Sequence, residues 1–324
     1  MSLDRLTNNV VSRPFAILLV VTGILFTFIG FHVALPPADV INRSFGLLSP
    51  NLWISNPLTS LLVNTALELV AIAMLLALNR SYNLMRDGQY LLPALFILMQ
   101  SALPAIGERF SGGILLMWLM LGATAVLYSV YLRPDLTRRI FLIFALASAG
   151  VMIQYGFLII LPVLIIGCAQ MRVMSFRTIL AIILGLITPI WIVVGAGLIS
   201  GGLQLPEFKL NFDIFESENI TELVTVGFSM LTGIVTGLVN LVSVYARNAR
   251  TRAFHGLLLV AGIMAGLGCV VDFSNMLFYI PLLNMATAYQ VSLYISLHPD
   301  KQRSITIIVV SAVYAILFFS NLVV

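Results

Sequence analysis

Three polar residues recur at intervals of four inside the second apolar segment of the chain. Ser60, Asn64 and Glu68 therefore share one face of the helix that this segment predicts. Glu68 is the one charged residue near the middle of a predicted membrane span. A carboxyl group at that depth is costly, and by default it indicates a site for a proton, a cation or a polar substrate group. The alternative is structural, with the glutamate holding neighbouring helices together.

A second acidic residue, Asp39, comes four positions after the first apolar segment. A carboxylate there could bind a metal ion or act as a general base on a substrate at the membrane surface. The alternative is a solvated loop residue. The sequence has no GxxxxGK[ST], HExxH, CxxC or GxSxG motif, and its two cysteines lie in separate apolar runs. We therefore expect no cofactor, no metal cluster and no disulfide framework.

The composition is that of a chain whose solvent is lipid. Hydrophobic residues make up 60% and charged residues 9%, against about 25% charged residues in soluble domains. The apolar runs are continuous, which predicts an all-α transmembrane bundle in one domain, 1–324, with membrane lipids around it. The net charge of +4 comes from cations in short loops, as membrane insertion requires, so nucleic acid is not an expected partner.

The number of spans depends on a run of 32 uncharged residues, Ile140 to Met171. If this run crosses twice, fourteen lysines and arginines lie on one side of the membrane and three on the other; if it crosses once, the division is eight and nine. The positive-inside rule selects two crossings, about eleven spans, a cytoplasmic N-terminus and an outside C-terminus. The predicted apolar segments are 14–35, 57–78, 89–106, 113–132, 140–171, 178–199, 222–245, 253–271, 276–297 and 304–323.

The two crossings of 140–171 form a short helical hairpin with its tip at Gln154, Tyr155 and Gly156. About 15 residues give roughly 22 Å of helix, less than a hydrocarbon core of roughly 30 Å. Backbone that leaves a helix at membrane depth must be buried in protein or face water, so the tip indicates a cavity open to the outside. Glycine tolerates the backbone angles of a tight turn. The alternatives are a locally thinned bilayer or one long bent helix.

Small residues recur at intervals of four in two later spans. They are Ser229, Gly233 and Gly237 in one, and Gly262 and Gly266 in the next. This spacing lets helix backbones approach closely, so we expect these two spans to form a tight pair.

The stretch Arg138 to Trp191 combines a basic start, a short apolar hairpin, Arg172 and Arg177, and a span interrupted by Pro189. It resembles the membrane core of multi-span glycosyltransferases that use lipid-linked sugars. It is also similar to a family of bacterial polytopic inner-membrane proteins with no assigned activity. The resemblance implies the bacterial cytoplasmic (inner) membrane, a polyprenyl-linked sugar as partner, and a catalytic acid in the first outer loop, where Asp39 lies.

Three functions stay open at this point, and with them the question of whether the chain is an enzyme. The first is a glycosyltransferase-like or glycan-assembly protein at the outer face, with Asp39 as its catalytic residue. The second is a transporter or permease that uses the intramembrane carboxylate of Glu68. The third is a non-catalytic subunit of an envelope complex. Glu68 and Asn64, together with Gln154 and Tyr155, are the predicted substrate- or ion-binding residues.

Overall fold

The computed structural model describes residues 12–33, 44–45, 47–85, 88–107, 109–197, 220–245, 249–298 and 300–323. Within these ranges the chain is helical and has no β-strand, as the sequence predicts. The helices are α1 Arg13–Val33, α2 Pro57–Tyr82, α3 Leu91–Ser101, α4 Pro104–Gly107, α5 Gly112–Ser129, α6 Thr137–Ile153, α7 Ile160–Gln170, α8 Phe176–Gly195, α9 Ile220–Tyr245, α10 Ala249–Val271, α11 Met276–Leu297 and α12 Asp300–Val323. Short 3-10 helices cover Pro50–Leu52, Tyr155–Ile159 and Phe273–Asn275.

Seven of the described helices are long and apolar enough to cross a membrane. They are α1, α2, α5, α8, α9, α10 and the Gln302–Leu322 part of α12, and the shorter apolar helices Leu91–Ser101 and Tyr155–Gln170 accompany them. Helices predominate because lipid offers the backbone no hydrogen-bond partner, so each segment must satisfy its own N–H and C=O groups. Large apolar side chains such as Phe176 and Val242 are exposed on the outer surface. This is the pattern of a multi-pass membrane protein.

Helix α11 lies at the centre of the bundle. Eighteen of its 22 residues are buried, and it packs against α3, α5, α9, α10 and α12. Glycine allows close backbone contact at one of these crossings, because a Cβ at Gly113 of α5 would lie 2.6 Å from the carbonyl oxygen of Phe278. A helix enclosed in this way buries its polar side chains as well, and these must find partners on the surrounding helices.

The uncharged run 140–171 reverses direction within the bundle. Helix α6 ends at Ile153, and the 3-10 turn Tyr155–Ile159 leads into α7. The N–H of Leu132 donates to the carbonyl oxygen of Met171 at 3.0 Å, so α7 returns to the end from which α6 starts. Ser148 Oγ donates to the Leu186 carbonyl at 2.6 Å, which places α8 alongside α6. The run is therefore a hairpin rather than one bent helix, with its turn at the predicted tip.

Contacts define the two ends of the bundle. One end contains Arg133 and Arg172, and we call it the basic end. There the rings of Tyr82 and Tyr128 lie 5.2 Å apart and those of Tyr128 and Phe254 lie 4.0 Å apart, so the last turns of α2 and α5 meet the second turn of α10. At the Asp272 end, the hairpin tip meets the corner between α10 and α11 through Tyr155 and Asp272.

Candidate functional site

The Glu68 carboxyl is buried in the interior of α2. The side chain is 3% exposed and that of Asn64 is 1% exposed. Asn64 Nδ2 donates to Glu68 Oε1 at 3.3 Å and to the carbonyl oxygens of Ile106 and Gly107 at 3.3 and 3.1 Å. Ser60, one turn earlier, accepts the N–H of Phe110 at 2.7 Å. The predicted polar face of α2 is therefore real, and it binds the backbone where α4 ends and α5 is about to begin.

Two buried amides connect this face to the central helix. The side chain of Gln100, in α3, interacts with the Glu68 carboxyl. Asn284 Nδ2 of α11 donates to Gln100 Oε1 at 2.8 Å and to the Met99 carbonyl at 3.2 Å. Gln100 Nε2 is buried and makes no hydrogen bond of standard geometry within the described residues. The contact between the Gln100 amide and the Glu68 carboxyl is therefore wider or less well aligned than a standard hydrogen bond.

The same network continues from α11 into α9 and α12. Ser229 Oγ donates to Asn284 Oδ1 at 3.1 Å, and the hydroxyl groups of Ser229 and Tyr314 lie 2.7 Å apart. One turn along α11, Thr287 Oγ1 donates to the Ser229 carbonyl at 3.1 Å. Buried polar side chains thus form a chain from Glu68 through five helices. We call this set the Glu68 network; its members are Asn64, Glu68, Gln100, Ser229, Asn284 and Tyr314.

The polar contacts of the Glu68 carboxyl come from two amide groups. Asn64 Nδ2 donates an N–H to it, and the Gln100 side chain contacts it from α3. A metal ion would need several oxygen ligands. Within the described residues, no three His, Cys, Asp or Glu side chains lie close enough together to hold a metal ion.

Asp272 provides a second buried carboxylate, in the connection between α10 and α11. Asp272 is 3% exposed and accepts three side-chain hydrogen bonds: from the hydroxyls of Tyr155 and Tyr279 at 2.8 and 2.9 Å, and from Asn275 Nδ2 at 3.0 Å. Gln154 Nε2 donates to Asn275 Oδ1 at 3.4 Å. We call these five residues the Asp272 cluster. Hydrogen bonds from three donors fix the position of this carboxyl group.

The structure buries the predicted binding residues of the hairpin tip. Gln154 and Tyr155 are 3% and 6% exposed. Gly156 lies against the ring of Phe278, since a Cβ there would come within 2.6 Å of the ring. The tip is therefore packed into protein at these positions and does not present these side chains to an open cavity. Non-helical backbone at membrane depth must be either buried in protein or exposed to a water-filled cavity, and here it is buried in protein.

Asp272 is not among the residues that the sequence predicted for a site. The sequence feature that could have identified it is its position as the acid in the short connection between α10 and α11.

The Asp272 cluster and the Glu68 network both include a residue of α11. These residues, Tyr279 and Asn284, are five positions apart, which is about 7.5 Å along a helix axis. Asn64 and Glu68 thus meet at one site, and Gln154 and Tyr155 meet at another. Asp39 lies outside the described residues.

Comparisons with family models, with curated proteins and with solved structures find no match for this chain.

Proposed function

We propose that the protein is a proton-coupled transporter in which Glu68 takes up and releases the proton. The observation that carries this proposal is the Glu68 network, which links one buried carboxyl through five helices of a membrane bundle. Ionisable groups inside membrane spans are rare and face substrate or proton pathways. A connected set of amides and hydroxyls offers such a proton both donors and acceptors.

The proposal includes the orientation in the membrane. It sets eleven crossings, with α3 and α4 together as one, the N-terminus in the cytoplasm and the C-terminus outside, in a bacterial inner membrane. The return of α7 to Leu132 supports two crossings by residues 140–171. The basic end contains Arg133 and Arg172 in the connections before α6 and after α7, and Arg139 in the first turn of α6. The positive-inside rule would place this end in the cytoplasm.

A carbodiimide soluble in lipid tests the proton-binding role of Glu68, because it reacts with a carboxyl group that carries a proton. The reconstituted protein is treated with dicyclohexylcarbodiimide over a range of pH, and the modified peptide is quantified by mass spectrometry. We expect modification at Glu68 that declines as the pH rises, and none in Glu68→Gln. Asp135→Asn, which removes an exposed loop carboxylate, is the matched control and should leave modification at Glu68 unchanged. An unreactive Glu68, or a reactivity independent of pH, would contradict the proposal.

A second candidate is glycan assembly from a polyprenyl-linked sugar at the outer face. The Asp272 cluster favours it, since it holds a carboxylate in fixed geometry at the end of the bundle to which α1 leads before Asp39. Here Asp39→Asn and Asp272→Asn should abolish transfer of a radiolabelled sugar from its polyprenyl phosphate carrier, whereas Glu68→Gln should not. If transfer by the wild type does not exceed that of protein-free liposomes, this candidate is rejected. A non-catalytic subunit of an envelope complex would tolerate all three changes.

A further inference from the structure

A cleft runs along the outer surface of the bundle between α9 and α10, with α11 as its floor. Its apolar part has a volume of about 100 Å³. Two glycines bring both helices down onto α11: a Cβ on Gly233 would lie 2.5 Å from Thr287 Oγ1, and one on Gly262 would lie 3.0 Å from Ala286 Cβ. The predicted contact between the two spans holds at Gly237, which lies against Leu259 of α10, and at Gly266, which lies against Met230 of α9, whereas Gly233 and Gly262 pack on α11.

The cleft faces the surroundings of the bundle. Ile234, Ile263 and Leu267 line it, and all three are exposed. In a membrane their surroundings are lipid chains, so an acyl chain can enter the cleft from the side.

Toward the basic end the cleft continues into a polar pocket of about 40 Å³. Asn240, Arg252, His255 and Gln290 line this pocket, and Gln290 also borders the apolar part. The two parts therefore form one amphipathic groove, apolar along its length and polar at the level of the basic end.

Two buried amide groups in the polar pocket are only half satisfied. Asn240 Nδ2 donates to the main-chain oxygen of Gln290 at 2.7 Å and to its Oε1 at 3.1 Å. Asn240 Oδ1 and Gln290 Nε2 then have no hydrogen-bond partner within the described residues, although the two residues are only 2% and 3% exposed. Buried polar atoms normally have partners, so one acceptor and one donor here are available to a ligand.

The charge around the pocket is positive. The chain from residue 223 to residue 271 contains no acidic residue but includes Arg250 and Arg252. Arg252 lines the pocket, with its guanidinium 5.3 Å from the centre of the Tyr245 ring. A guanidinium at this position favours a phosphate, to which it can donate two parallel hydrogen bonds.

We propose that this groove binds one anionic glycerophospholipid. Its phosphate accepts from Arg252 and from Gln290 Nε2, a hydroxyl group of its head donates to Asn240 Oδ1, and one acyl chain fills the apolar part. Phosphatidylglycerol has all three features. Phosphatidylcholine lacks the hydroxyl group and would bring a quaternary ammonium group next to Arg252. None of the six named members of the Glu68 network lines this groove, and the inference does not depend on the transport proposal.

Native mass spectrometry of the purified protein, exchanged into detergent with equal amounts of the two lipids, tests the site. We expect about tenfold more retained phosphatidylglycerol than phosphatidylcholine. Arg252→Gln should reduce that preference about tenfold, the size of effect that one charge-assisted hydrogen bond of about 1.4 kcal/mol gives. Arg250→Gln is the matched control, because its guanidinium lies over the ring of Phe254 and it does not line the pocket.

A second variant tests the acyl-chain part without changing the charge. Ile263→Trp should fill the cleft and reduce retention of both lipids. Leu231→Trp is its control, an exposed position on α9 outside the lining. Equal retention of the two lipids by the wild type would overturn the proposal. So would an Arg252→Gln effect no larger than that of Arg250→Gln, or displacement of the lipid by inorganic phosphate alone. An unchanged retention in a folded Ile263→Trp would also overturn it.

Discussion

The hydroxyl of Tyr155 donates a 2.8 Å hydrogen bond to the carboxylate of Asp272, which lies 117 residues further along the chain. This bond ties the tip of the 140–171 hairpin to the corner where α10 turns into α11. Tyr279 donates to the other oxygen of the same carboxylate. The position of the hairpin relative to the central helix therefore depends on hydrogen bonds that two phenol groups and an amide donate to one buried carboxylate.

Removal of either phenol hydroxyl should destabilise the contact between the hairpin tip and the α10–α11 connection. Tyr155→Phe and Tyr279→Phe each leave a buried carboxylate oxygen with one donor fewer, which we expect to cost about 1–3 kcal/mol of stability. Thermal unfolding in detergent measures the loss. The control is Tyr245→Phe, since that ring is 73% exposed. Equal melting temperatures for all three variants would show that the bonds contribute nothing.

The structural and functional interpretations of Glu68 predict different behaviour for two variants. Asn64→Leu removes the donor of three hydrogen bonds, to Glu68, Ile106 and Gly107, and should destabilise the protein by about 1–3 kcal/mol. Glu68→Gln keeps a carbonyl oxygen for Asn64 and should change the melting temperature little. If Glu68→Gln is as destabilising as Asn64→Leu, the glutamate serves mainly to hold the helices together.

Spacing and charge predicted those parts of the site that depend on one helix or on the counting of loops. Ser60, Asn64 and Glu68 share a face because four residues are close to one helical turn. The count of lysines and arginines on each side of the membrane predicted that the chain reverses direction near Tyr155. Partners from distant helices, such as Gln100 and Asn284, were missed, because no local pattern specifies which helices pack together. The predicted span 89–106 likewise breaks after Ser101, with α4 beginning at Pro104, because proline disfavours a helical conformation in the residue before it.

Thiol labelling tests the proposed orientation in a background without Cys168 and Cys269, which are both free and buried. Cysteine at Asp135, in an exposed loop of the basic end, should react with an impermeant maleimide only from the cytoplasmic side. Cysteine at Ser55, exposed ahead of α2, should react only from outside. Labelling of both positions from one side would contradict the alternation of the helices, and the reverse pattern would invert the membrane orientation.

Cysteine at Tyr155 is informative in the same background. The residue is 6% exposed and packed into protein, so it should resist the reagent from both sides until the protein is unfolded. Rapid labelling from outside in the folded protein would instead support the open cavity that the sequence predicted at the hairpin tip.

The last prediction concerns Gly156, whose importance has a different cause from the one the sequence suggested. The described glycines with positive φ are Gly88 and Gly197, so the turn at Gly156 does not require glycine for its backbone angles. Space is the constraint, since a Cβ there would lie 2.6 and 2.8 Å from ring carbons of Phe278. We therefore expect Gly156→Ala to destabilise the protein by about 1–3 kcal/mol, as overpacking does in a dense interior.

Two comparison variants separate crowding from backbone strain at Gly156. Phe278→Leu shrinks the obstructing side chain, so the double variant Gly156→Ala/Phe278→Leu should be more stable than the sum of the two single changes implies. Gly122→Ala adds the same methyl group in α5 where nothing lies within 4 Å, and it should stabilise the helix by about 0.5–1 kcal/mol. Unfolding in detergent gives all four values. Strictly additive effects of the changes at 156 and 278 would show that the methyl group does not meet the ring, and that glycine is required at the tip for another reason.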